Sequence, residues 1–265
     1  MKRLIDLDRF PLDRLQSAQG RALIARCKGD LAREGMFNLE GLVPATAVAE
    51  AVRELAPVLA TEAYTHSRRH NIYFKREIAG LDPDHPALAE FETVNHTICA
   101  DQMPGTVVMA IYEFEPLAAF LAAVMEKPSL YLMADPLARA NVMQYQSGEA
   151  LNWHFDRSEF TTTLLLQAPD QGGAFQYARE LRSEHDPNYE GVADLLRGEL
   201  PVEEITLAPG TLNVFRGKNT AHRVTPVAGD ATRIIAVFSY YETPGVMFSQ
   251  AERLGFYGRA GASTA

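Results

Sequence analysis

Cysteine is scarce in this chain: of 265 residues only Cys27 and Cys99 are cysteine, far apart and in no CxxC or Cys/His pattern. That scarcity excludes both a disulfide framework and a zinc ribbon. Long apolar runs are also missing, since Thr106 to Tyr112 and Leu117 to Met125 fall well short of the ~20 residues needed to cross a bilayer. No membrane partner is expected. Asp6 and Asp8 interrupt the first apolar residues before a secretory signal could form, so a reducing, cytoplasmic location is expected. There is no excess of positive charge: 25 Lys+Arg against 34 Asp+Glu leave −9. A surface suited to a phosphate backbone is therefore not implied, and no nucleic-acid partner is expected. Repeats and low-complexity tracts are absent as well.

What is present is enough apolar material for a large core. Hydrophobic residues make up 47% of the chain, and a chain of this size buries about 70–75% of its unfolded surface, which excludes intrinsic disorder. Apolar residues recur at helical spacing over 12–31 (Leu15, Leu23, Ile24, Cys27, Leu31) and 44–59 (Val48, Val52, Leu55, Leu59). A third helix is expected over 117–127, after Pro116 and before Pro128. Residues 1–137 thus read as mostly helical with short strands.

Beyond about residue 137 the runs shorten, gain β-branched and aromatic side chains and are punctuated by turn residues. Strands are predicted at 139–146, 151–155, 160–167, 173–177, 203–207, 211–215, 221–224 and 233–241, a set that makes a sandwich or barrel. A polar insert at 179–201 could form one or two helical turns at Val192 to Leu196 and is of a length typical of lids. The expectation is a single α+β domain, with 138–245 as its β core and 246–265 as a C-terminal tail.

In Asn152-Trp153-His154-Phe155-Asp156 the imidazole and the carboxylate stand two residues apart at a strand end, on one face. With 7 His and 34 acidic residues in 265 positions, chance alone supplies about one such pair. The pair gains weight from a second element, Phe215-Arg216-Gly217-Lys218-Asn219-Thr220-Ala221-His222-Arg223-Val224, in which His222 opens a strand after a Gly-containing turn, with Arg233 eleven residues on. Two imidazoles and one carboxylate form the facial triad that holds Fe(II) and leaves open coordination positions. An arginine on the adjacent strand supplies a planar, two-pronged donor for a carboxylate, which a lysine does not.

In order and spacing these residues resemble the Fe(II)/2-oxoglutarate-dependent dioxygenases. The resemblance implies a double-stranded β-helix (jelly-roll, cupin-like) core buttressed by the N-terminal helices. It further implies His154, Asp156 and His222 as iron ligands and Arg233 as the grip on the distal carboxylate of 2-oxoglutarate, with O2 as oxidant. Asn141 and Tyr145, on a predicted core strand, are candidate cofactor contacts. Trp153 and Phe155 alternate away from the metal face and are expected in the core.

A narrower likeness covers about Ser67 to Arg259. Asn141 to Tyr145, Trp153 to Tyr177 and the late Arg253-Leu254-Gly255-Phe256-Tyr257-Gly258-Arg259 look like the radical halogenases acting on free amino acids and their hydroxylating relatives. In the halogenating members a glycine replaces the metal-binding acid and vacates a position for chloride. Asp156 fills it here, so the resemblance implies a hydroxylase of a small polar substrate, a free amino acid or close derivative, and not a halogenase. Arg68, Arg69, Asn152 and Arg157 are the candidate substrate contacts, the donor-dense His66 to Phe74 segment being suited to a carboxylate. The alternatives are a hydroxylase of a peptidyl or carrier-tethered residue, and a non-catalytic metal- or ligand-binding jelly roll. A monomer or homodimer is expected.

Overall fold

Ser17 and Gly35 set the limits of the first long helix. In the computed structural model, which describes residues 1–262, the Ser17 hydroxyl accepts from Gly20 N, and Gly35, at φ 72°, closes the helix with its N–H on Leu31 O. That geometry starts the helix at Ala18, and Leu12–Arg14 forms a separate short 3-10 turn. The helices are α1 (Ala18–Glu34), α2 (Ala45–Glu62), α3 (Val107–Tyr112), α4 (Glu115–Val124), α5 (Tyr189–Arg197) and α6 (Gln250–Tyr257). None of them is long and apolar enough to cross a membrane.

The strands are β1 (Met36–Leu39), β2 (Tyr64–His70), β3 (Phe91–Cys99), β4 (Tyr131–Leu132), β5 (Ala140–Tyr145), β6 (Leu151–His154), β7 (Thr161–Gln167), β8 (Gln171–Gly172), β9 (Phe175–Ala178), β10 (Glu203–Ile205), β11 (Leu212–Phe215), β12 (Ala221–Val224), β13 (Val227–Ala228), β14 (Arg233–Phe238) and β15 (Tyr240–Tyr241). A seven-stranded sheet in the order β1-β11-β7-β14-β5-β3-β2 faces a four-stranded sheet in the order β10-β9-β12-β6. This is the α+β jelly roll with N-terminal helices on its outer face. The large sheet draws β1, β2 and β3 from the half expected to be mainly helical. The β2 segment is polar on both faces, so no apolar alternation marks it.

Register sorts the large sheet into two faces. Val142 pairs with Ala236, Ala236 with Leu164 and Leu164 with Leu212, so these point to one side. They join Leu23, Leu31, Leu55, Tyr112 and Phe120 of the helices in the principal core, where Phe37 and Phe120 meet edge-on at 6.0 Å. The other face carries Asn213 opposite Thr163, Thr163 opposite Val237, and Val237 opposite Asn141, with Arg233 opposite Tyr145. A slip of one residue would exchange the two faces entirely, so the buried helical buttress also fixes which side chains line the interior of the roll.

The α5 helix of the insert buries Val192 and Leu195 in a cluster with Trp153, Phe155 and Ala221, and Arg182 of the insert lies 3.9 Å over the Phe155 ring. Alternation turns Trp153 and Phe155 away from the interior, and these aromatic rings need cover. In the 71–74 loop Phe74, at φ 55°, stands 6.3 Å from the His154 ring.

Candidate metal centre

His154 ends β6 and lies directly opposite His222 in β12, which brings their rings to 4.1 Å between centroids. Each Nδ1 meets a carbonyl two residues back, Asn152 O at 2.8 Å and Thr220 O at 2.9 Å. A carbonyl only accepts, so Nδ1 carries the proton and each Nε2 presents its lone pair. Oδ1 of Asp156 stands 3.4 Å from both Nε2 atoms, and the potential ligand atoms of the three residues all lie within 4.8 Å of one another.

Gly217 and Thr161 complete the setting. Asp156 N donates to Gly217 O at 3.0 Å, and a Cβ at Gly217 would stand 1.9 Å from Asp156 Oδ2. Only glycine permits that approach. Thr161 Oγ1 donates to Asp156 Oδ2 at 2.5 Å.

Electrostatics favour an ionised Asp156 and a neutral His154. Burial pushes the Asp156 carboxyl up, but its contacts with the His222 and His154 rings outweigh it and hold the group well below the usual carboxylate range. Burial pushes His154 down. An ionised carboxylate and neutral imidazoles are the forms a metal needs. Two nitrogens and one oxygen on a single side, with no thiolate, suit a ferrous ion with open positions.

Arg233 is 4% exposed. Among the described residues its guanidinium has neither a hydrogen bond nor an ion pair; its neighbour is the Tyr145 ring at 5.8 Å. Burial pushes its pKa down, as expected for a cation removed from water without a counter-charge. Tyr145, Leu165, Val227 and Ile235 pack beside it, and a Cβ at Gly173 would come within 3.2 Å of the Arg233 Cδ. The result is a buried cation in a largely apolar setting, which suits an anion.

Of the other expected contacts, the structure brings Arg68 toward the centre and directs the rest elsewhere. Arg68 lies 4.9 Å over the Phe74 ring and has no hydrogen bond or ion pair among the described residues. Arg69, one residue along the strand, falls on the opposite face and pairs with Glu90 at 3.5 Å. Arg157 turns outward to Glu252 at 2.6 Å. Asn152 spends its side chain on Glu92 O at 2.6 Å; what it offers the centre is the carbonyl that orients His154. Asn141 is likewise occupied, its amide donating to Leu137 O and its oxygen accepting from Tyr257 Oη, both at 2.9 Å. The C-terminal α6 claims it, a contact between residues too distant in sequence to foresee.

Sequence reasoning missed the wall formed by β2 and β3. His66, Arg68 and His70 pair with Asn95, Thr93 and Phe91, and period-two alternation over 66–70 is the signal that could have found it. His70 stacks on Phe74 at 4.3 Å. The Thr93 hydroxyl accepts from Asn152 N at 3.2 Å and meets His70 Nε2 at 2.9 Å, which ties the strand bearing His154 to this wall.

The family model described as Halogenase D matches residues 19–249. No curated protein matches the chain. Among solved structures, the epimerase SnoN from nogalamycin biosynthesis, a non-heme alpha-ketoglutarate-dependent enzyme, is 16% identical, with 83% of each chain covered and a TM-score of 0.57. AviO1 from Streptomyces viridochromogenes is 14% identical over 84% of this chain and 96% of its own, at 0.56. HygX from Streptomyces hygroscopicus, solved with nickel and 2-oxoglutarate, is 13% identical over 83% and 88%, at 0.55. At these identities the three structures speak for the fold.

Proposed function

The chain belongs to the Halogenase D family of the Fe(II)/2-oxoglutarate oxygenase type, and from that premise we propose that it hydroxylates an unactivated C–H bond of a free amino acid or close derivative. The observation that carries this reading is Asp156: a carboxylate stands between His154 and His222, where a halogenating site needs room for chloride.

His154, Asp156 and His222 would hold the ferrous ion, and the buried Arg233 would take the distal carboxylate of 2-oxoglutarate, with Tyr145 beside it. When bound, this group supplies the oxidising power: 2-oxoglutarate and O2 become succinate and CO2, and one oxygen atom enters the substrate C–H bond. The protein's own residues supply binding, orientation and dryness. The carbonyls of Asn152 and Thr220 hold the imidazoles in the tautomer that leaves Nε2 free. Arg233 is largely buried, which would strengthen its hold on an anion. Arg68, over the Phe74 ring and without a hydrogen bond or ion pair among the described residues, would take the substrate carboxylate.

A mass-spectrometric screen of free amino acids, with protein, Fe(II), 2-oxoglutarate and air, tests the reading. A product heavier by one oxygen atom is expected. A product of unchanged mass, as an epimerase gives, or one lighter by two hydrogens, as a ring closure gives, would replace hydroxylation as the outcome.

A further inference from the structure

We propose that Thr161 is a positioning residue which, together with the absent side chain of Gly217, dictates that Asp156 offers a metal one oxygen and not two. The proposal rests on the reading of the triad as an iron site. It concerns which carboxylate oxygen faces the ion, and it is carried by contacts on the side of Asp156 turned away from the imidazoles.

The two oxygens of Asp156 have different surroundings. Oδ1 lies 3.4 Å from each of the two Nε2 atoms and is the oxygen on the ligand side. Oδ2 accepts the Thr161 hydroxyl proton at 2.5 Å, and a Cβ at Gly217 would press to 1.9 Å of it. The backbone of Gly217 also receives Asp156 N at 3.0 Å, which fixes the Asp156 backbone, while the Thr161 hydroxyl holds the carboxylate itself. For both oxygens to reach one ion, the carboxylate must rotate, which strains the Thr161 bond. A hydrogen bond to an ionised acceptor is roughly twice as strong as a neutral one, and it opposes that rotation.

Local structure puts Thr161 there. It opens β7 opposite Phe215, two residues before Gly217, so strand pairing delivers the hydroxyl and the glycine to the same carboxylate. Threonine is stiff at χ1, which keeps the donor aimed. The consequence is chemical: a second carboxylate oxygen would occupy a coordination position that 2-oxoglutarate and O2 need. Thr161 thereby keeps three positions open while touching neither metal nor substrate.

The test is titration of the metal-free protein with Co(II), followed by the absorption spectrum of the bound ion, which reports coordination number. Thr161→Val keeps the shape and removes the donor; Thr161→Ser keeps the donor. Thr161→Val is expected to change the Co(II) affinity, as loss of an outer-shell partner does, and to shift the spectrum toward a higher coordination number, while Thr161→Ser resembles the unmodified protein in both. Wild-type affinity and spectrum in Thr161→Val would overturn the proposal and leave Thr161 as a tie for the 157–160 loop. Failure of the unmodified protein to bind Co(II) would overturn the iron-site reading with it. Should Thr161→Val not fold, the infrared difference between metal-loaded and metal-free wild-type protein decides. A wide splitting of the carboxylate stretches supports one-oxygen ligation, and a narrow splitting overturns it.

Discussion

Replacing Arg233 by methionine separates a structural role from a cofactor role, because the two predict opposite signs in the metal-loaded protein without 2-oxoglutarate. The guanidinium is 4% exposed and has no ion pair or hydrogen bond among the described residues, so an unliganded fold bears its desolvation cost unrelieved. Exchanging an unpaired buried ion for an apolar side chain of similar volume is neutral or stabilising. The melting temperature of Arg233→Met without 2-oxoglutarate should therefore equal or exceed that of the wild type. With 2-oxoglutarate the wild type gains more than the variant. At one hundred times its Kd the ligand stabilises the wild type by about 2.7 kcal/mol, or about 5–10 °C at this chain size. Loss of charge-assisted bonds to a carboxylate costs at least about 1.4 kcal/mol, a tenfold weaker Kd. The same 2-oxoglutarate concentration then gives the variant only about 1.4 kcal/mol, or about 3–5 °C. The assay is thermal unfolding under nitrogen with Co(II) in place of iron, with and without 2-oxoglutarate. A variant that melts lower without ligand and gains the full shift with it would refute the assignment.

Other outcomes follow from the same geometry. In high chloride the wild-type protein should yield no chlorinated product by mass spectrometry, because Asp156 occupies the side of the triad where a halide would sit. Burial pushes both His154 and His70 below their ordinary 6.5, so in acid the unfolded chain binds more protons than the folded one. Stability of the metal-free protein should be full above that value and fall as pH drops below 6.5 toward the depressed folded values, seen as a lower urea midpoint at pH 5.5 than at pH 7.5; an unchanged midpoint would contradict it. Phe120→Ala, in the fully buried helical buttress, should cost ~3–5 kcal/mol in urea unfolding while the folded fraction keeps one metal per chain.

What could be read from the chain follows the range of its interactions. His154, His222 and Arg233 stand on strands and Asp156 two residues beyond His154; pairing of β6 with β12 brings the two histidines together. Helix ends needed the cap: hydrophobic spacing alone starts the first helix too early, where Ser17 begins it at Ala18. The β2–β3 hairpin was obscured because His66, Arg68 and His70 are polar on the face they turn to the interior, and a polar interior imitates a solvated turn. Arg157 and Asn141 illustrate another limit. Their partners, Glu252 and Tyr257, lie about a hundred residues away on α6, and no local pattern announces which long-range partner claims a side chain. Arg69 shows the limit of composition, since a donor-dense stretch in a strand sends half its donors to the wrong face.

The central claim is that this triad supports oxygen transfer driven by 2-oxoglutarate, and the most direct measurement is product stoichiometry under labelled oxygen. With Fe(II), 2-oxoglutarate, 18O2 and the amino acid found by screening, succinate and hydroxylated product should form in equal amounts, with heavy oxygen in the new hydroxyl and neither product in Asp156→Ala. Succinate no higher than in a metal-free control, or a hydroxyl carrying only solvent oxygen, would contradict it.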